Sequence, residues 1–202
     1  MTSSDNNSPD KLADALVATL QTVIETLQRL GVKYALMGGL AVVIHGRVRT
    51  TKDIDVLLAV PQLTLPRLLD DLTSAGFPIE QREAITRWNS EGLLPLHSGS
   101  GVRVDFMKVV LPVFDRILSR ASDETFHGMP IRVVDVEGLL LLKLIAFRPQ
   151  DQLDIRGLLA ANLGRIDLDW VRREWSQLSG LDPARTSQFE EMVQEFSDQP
   201  AQ

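Results

Sequence analysis

The chain contains no cysteine, which excludes disulfides, thiolate nucleophiles and cysteine-built zinc sites. Its three histidines lack the paired spacing of a zinc-binding set, so carboxylates remain as first-choice ligands, and these suit hard ions such as Mg²⁺ or Mn²⁺. No apolar run is long enough to span a bilayer. The greasiest stretch, "GLLLLKLIAF", is half that length and carries Lys143. The opening "MTSSDNNSPD" has neither the positive region nor the apolar core of a signal peptide. The expected location is the cytoplasm, with no membrane partner. Excess positive charge is also missing. A net charge of -6 argues against broad electrostatic binding of nucleic acid, although a local basic groove is compatible with it.

With 202 residues, 44% of them apolar, there is material for one substantial core. Residues 1–8 read as a polar, flexible tail, with Ser8 as a helix cap and Pro9 at the first helical position. Leu12, Leu16, Leu20, Val23, Leu27 and Leu30 recur at helical spacing until Gly31. "VKYALM" then reads as a strand running into a Gly38-Gly39 turn, "LAVVIH" as a short helix, and "DIDVLLAV" as a second strand ended by Pro61. Leu63 to Ala75 is helical in pattern. "GVRVDFMKVV" is a third strand, with Val102, Val104 and Phe106 on one face and Arg103, Asp105 and Met107 on the other. "PVFDRILSR" is helical, "TFHGMPIRVV" a hairpin turning at His127-Gly128, and the chain from Asp135 is helical in segments broken near Pro149, Gly164 and Asp182-Pro183. The expected class is α+β: a mixed sheet flanked by helices over residues 9–160, and a helical C-terminal extension over 161–202.

Asp53 and Asp55 are two apart on a strand, so they share a face with α-carbons roughly 6.6 Å apart. Two carboxylates this close repel each other, and one becomes protonated unless a cation bridges them. A solvated pair of strand-end aspartates is the plain alternative. Asp105, on the polar face of another strand, supplies the third carboxylate that a two-metal phosphoryl-transfer site requires. Gly38 and Gly39 let backbone approach a ligand and present free N–H groups at a helix start, which suits an anion; a tight turn chosen for sterics is the alternative. The pair is neither a dinucleotide fingerprint nor a P-loop.

These blocks resemble the signature of the DNA polymerase β-like nucleotidyltransferase superfamily, and more narrowly the small nucleotidyltransferase-like proteins related to the AbiEii toxins. The matching positions are Gly38, Gly39, Ala41, His45, Gly46, Arg49, Thr51, Asp53, Ile54 and Asp55. A second block, "EGLLLLKLIAFRPQDQLDI", matches at Lys143, Arg148, Asp151 and Asp154, and the resemblance covers roughly Val32 to Leu159. Trp170, Trp175 and the residues after them match no part of the pattern.

The resemblance implies that Gly38 and Gly39 hold the β- and γ-phosphates of an NTP. It implies that Asp53 and Asp55 bind Mg²⁺ or Mn²⁺, and that Asp105 completes the metal site and helps deprotonate an acceptor hydroxyl. Catalytic roles thus fall on Asp53, Asp55 and Asp105, and nucleotide contacts on Gly38, Gly39, Arg49, Lys143 and Asp151. Lys143 is either a triphosphate partner or a snorkelling lysine. Arg49 touches phosphate or pairs with a carboxylate, and Asp151 and Asp154 serve either the reaction or a salt-bridged helix start. His45 and His127 are expected to close a helix and a turn, and the tryptophans to pack. The implied reaction transfers an NMP from an NTP to tRNA, protein or an aminoglycoside-like small molecule, with a cognate antitoxin as partner if the protein is a toxin. The rival class is a catalytically silent binding module or antitoxin-like component that keeps the fold; a nucleotide-sugar-binding D-x-D enzyme is a further alternative.

Overall fold

The computed structural model describes residues 9–178 and 182–197; the expected tail and its Ser8 cap lie outside them. The chain divides into two compact units, Met1–Leu40 with Thr50–Val133, and Ala41–Arg49 with Val134–Gln202. In the second unit α6 (Val136–Ala146) and α7 (Pro149–Asn162) group with the helices that come after them.

The first unit holds a sheet of order β3-β4-β2-β1-β6-β5, with β1 Lys33–Met37, β2 Asp53–Ala59, β3 Leu93–His97, β4 Arg103–Lys108, β5 Ser122–Phe126 and β6 Met129–Val133. β2 is antiparallel to β1 and parallel to β4. The helices are α1 (Pro9–Arg29), α3 (Leu65–Ser74), α4 (Gln81–Glu91) and α5 (Pro112–Arg120). α1 and α5 both pack on β1 and β2, where Leu20, Ile24, Ile54, Val56, Leu57 and Ile117 are fully buried. Each such side chain contributes about 1.5–3 kcal/mol relative to exposure. The hairpin turns at His127 (φ 48°) and Gly128 (φ 77°), the two left-handed residues that a two-residue turn needs to match strand twist.

Two elements escape the sequence pattern. β3, "LLPLH", contains Pro95, which counts against a strand in the middle of a sheet; it is tolerated because β3 is the edge strand. α4 has only Ala84 and Trp88 buried, too short an apolar stripe to stand out. Its ends are nonetheless well made: the Glu80 carboxylate accepts from Glu83 N at 2.6 Å, and Gly92 closes it in the left-handed conformation.

In the second unit Asp135 caps α6, accepting from Gly138 N at 2.9 Å. α6 packs on α7 and on α8 (Leu168–Leu178), and α7 packs on α9 (Pro183–Ser197). Arg185 of α9 donates Nη1 to the carbonyls of Leu144 and Ile145, 2.9 Å each, at the C-terminal end of α6. A cation there offsets the negative pole of the helix. Trp175 is buried and donates Nε1 to Thr186 Oγ1 at 2.9 Å, so it packs as expected. His45 lies just past α2 (Gly38–Ile44), with Nε2 2.8 Å from the Val134 carbonyl. No helix among the described residues is long and apolar enough to cross a membrane.

Candidate active site

Hydrogen-bonding register, more than proximity in sequence, assembles the acidic face. β2 and β4 run parallel with Asp53 opposite Arg103 and Asp55 opposite Asp105. Side chains two apart on a strand share a face, so these four residues form a square: Asp53 and Asp55 along one side, Arg103 and Asp105 along the other. Their neighbours Ile54, Val56, Val104 and Phe106 are buried on the opposite face. Adjacent strands lie about 4.8 Å apart, which sets the Asp55–Asp105 spacing. The expected alternation on β2 and β4 is therefore present.

The sequence pattern places Arg103 on this face and assigns it no role. In the structure its Nε donates to Asp105 Oδ1 at 2.9 Å. The Asp105 hydrogen bond and charge hold the Arg103 pKa above its ordinary value, against slight desolvation, and the charges of Asp53 and Asp55 add to the shift. The spacing R-x-D set against D-x-D is the signal that points to it. Among the described residues no three His, Cys, Asp or Glu side chains converge closely enough to hold a metal ion. The three carboxylates share a face, with Asp105 turned onto Arg103.

Gly38 is the first residue of α2, so the glycine pair opens the helix and does not form a separate turn before it. Its φ is +67°, and a Cβ there would overlap the Asp55 carboxylate. The requirement for glycine at 38 is thus both conformational and steric. Gly39 is buried.

Arg49, Lys143 and Asp151 lie in the second unit, in an ion network of their own. Lys143 Nζ reaches Asp151 Oδ1 at 2.9 Å and Asp154 Oδ2 at 2.8 Å, and all three residues are buried. Arg49 Nη1 is 2.7 Å from Asp154 Oδ2, Arg47 pairs with Asp154 Oδ1, and Gln150 Nε2 donates to the same oxygen at 3.1 Å. Arg148 donates to Asp151 Oδ2 through Nε (2.7 Å) and its backbone N–H (3.0 Å). Burial alone raises the Asp151 pKa, but bonds from Arg148 and Lys143 with the Lys143 charge outweigh it and hold the carboxyl below its usual range. Burial, and then the charge of Arg49, lower the pKa of Arg47. Arg47 also lies across α7 at Gly157, where a Cβ would overlap its side chain. A glycine inside a helix that alanine would favour is the sequence signal for this contact.

The family model described as "Nucleotidyl transferase of unknown function (DUF2204)" matches residues 16–182. Among solved structures, the chain is similar to an antigenic nucleotidyltransferase-like protein from Paracoccidioides brasiliensis, at 18% identity and TM-score 0.51, over 91% of this chain and 94% of that one. It is also similar to the lincosamide antibiotic adenylyltransferase LnuA, solved with lincomycin bound, at 16% identity and TM-score 0.51, over 78% of this chain and 100% of that one. Likeness at these identities is a likeness of fold. No curated protein matches the chain. With most of its length covered by the family model, the chain belongs to the nucleotidyl transferases of unknown function, DUF2204, on a mixed α+β nucleotidyltransferase fold.

Proposed function

We propose that the protein is a divalent-metal-dependent nucleotidyltransferase that moves an NMP from an NTP to a small hydroxyl-bearing acceptor. The single observation that carries this reading is the register of β2 and β4, which aligns Asp55 with Asp105 and sets Asp53 on the same face. The donor set is all carboxylate oxygen, which fits Mg²⁺ or Mn²⁺ and no softer ion. Asp53, Asp55 and Asp105 would hold it, once Asp105 is released from Arg103. A bound divalent ion supplies charge compensation at the phosphates and a more acidic acceptor hydroxyl.

The acceptor oxygen attacks the α-phosphorus, an O–P bond forms, the bond to the bridging oxygen breaks, and pyrophosphate leaves. The acceptor proton passes to Asp105. Catalysis of this kind rests on positioning and electrostatics. Contacts to the β- and γ-phosphates are assigned to Gly38 and Gly39. Arg49, Lys143 and Asp151 belong instead to the ion network around Asp154 in the second unit. The net charge of -6 favours a small cationic acceptor such as an aminoglycoside over long RNA.

The test is incubation with each α-labelled NTP and Mg²⁺ or Mn²⁺, offering aminoglycosides, total tRNA and cell protein in separate reactions. Label on the small molecule is expected. Label on tRNA or protein instead would replace the acceptor with that of an AbiEii-like toxin, for which an antitoxin partner would be the next expectation. No metal-dependent nucleotide binding and no transfer would leave the silent binding module.

A further inference from the structure

Arg103 occupies one corner of the square made by β2 and β4, with Asp53 across from it, Asp105 beside it and Asp55 on the diagonal. Three carboxylates on one face repel each other when no cation is present. Arg103 is the cation within that square. Its side chain is 46% exposed while that of Asp105 is 15% exposed, so the arginine is the partner with room to swing away and the carboxylate the one held in place. The bond between them, 2.9 Å, directs one Asp105 oxygen along its own strand. That orientation accompanies the lack of any converged three-carboxylate group among the described residues.

We propose that Arg103 is a built-in counter-ion that offsets one of the three carboxylate charges in the metal-free protein and gives up Asp105 when a divalent cation binds. Metal binding is then an exchange of one cation for another. Arg103 eases repulsion across the face before metal arrives and sets a threshold on metal affinity. The inference rests on the metal-dependent reading above. It differs from a phosphate-binding role for Arg103, because its effect is on the ion alone, without nucleotide.

The experiment measures Mn²⁺ binding by titration calorimetry and by the loss of the free-ion electron paramagnetic resonance signal, with no nucleotide present. The proteins are the wild type, Arg103→Met, Asp105→Asn and the double variant, each checked for folding by circular dichroism; Arg103→Gln replaces Arg103→Met should that variant not fold. Arg103→Met is expected to bind Mn²⁺ about fivefold more tightly than wild type, the scale of releasing a partly exposed ion pair. Its metal-free melting temperature should fall, and its metal-induced rise should grow. In the Asp105→Asn background the same substitution should change Mn²⁺ affinity by less than about twofold, since the pair it would break is already gone.

Unchanged or weaker binding by Arg103→Met, with wild type still binding Mn²⁺, would overturn the counter-ion role and leave the metal-dependent reading standing. Equal tightening with and without Asp105 would reduce Arg103 to a general charge effect and also overturn the exchange. No Mn²⁺ binding by any of the four proteins would overturn both.

Discussion

Gly38 and Asp55 are in such close approach that the glycine has no room for a side chain: a Cβ at 38 would overlap the Asp55 carboxylate, and φ at 38 is already +67°. Gly31 separates the two effects, since it has φ +63° and open space, with nothing within 4 Å of where a Cβ would stand. Alanine at either position is expected to cost about 1–3 kcal/mol through backbone strain, read as the shift in urea midpoint. Only Gly38→Ala is expected to lose nucleotidyl transfer as well, because it displaces Asp55. Equal transfer rates in the two variants would break the link between Gly38 and the carboxylate.

Lys143 is buried between Asp151 and Asp154, and removing one member of such a group leaves charge uncompensated. Asp151→Ala is expected to destabilise the protein by about 3–5 kcal/mol, measured by chemical denaturation at neutral pH. The pH dependence has a definite sign. Asp151 titrates below its usual carboxylate range when folded, so its stabilising contribution is complete above the unfolded value of about 3.9. It is lost as pH falls from there through the lower folded value. Asp151→Asn should flatten the acid limb of the stability curve, and an unchanged limb would contradict the pairing.

Gly157 reverses an ordinary rule. Glycine to alanine inside a helix normally stabilises by about 1 kcal/mol. Here a Cβ would overlap the Arg47 side chain, which pairs with the buried Asp154. Gly157→Ala is therefore expected to lower the melting temperature, whereas Ala160 or Ala161 changed to Gly should lower it by helix propensity alone. A rise in melting temperature for Gly157→Ala would remove Arg47 from the network.

Much of the fold is legible in the sequence because its signals are local. The alternation in "GVRVDFMKVV" and the His127-Gly128 hairpin both appear as expected, with Val104 and Phe106 buried and the turn residues at positive φ. Where the pattern fails, tertiary context overrules it: Pro95 sits in an edge strand where its missing N–H is harmless. The carboxylates are individually visible, but their alignment is not, since the pairing of Asp55 with Asp105 depends on strand register between segments about fifty residues apart. For the same reason Arg103 looks like an ordinary exposed strand residue in the sequence, and Arg47 like part of a basic loop. The grouping of α6 and α7 with α8 and α9 rests on tertiary packing, which composition does not report.

The central claim, that Asp55 and Asp105 act together at the reacting phosphate, is tested most directly by single-turnover transfer of α-labelled NMP in wild type, Asp55→Asn and Asp105→Asn under saturating Mg²⁺. These substitutions keep size and remove charge. Nucleotidyl transfer through this face predicts a loss of about 100-fold or more in each single variant, with the double variant no more than slightly worse than either, as for groups that act as a unit. Transfer at the wild-type rate in either folded variant would contradict it.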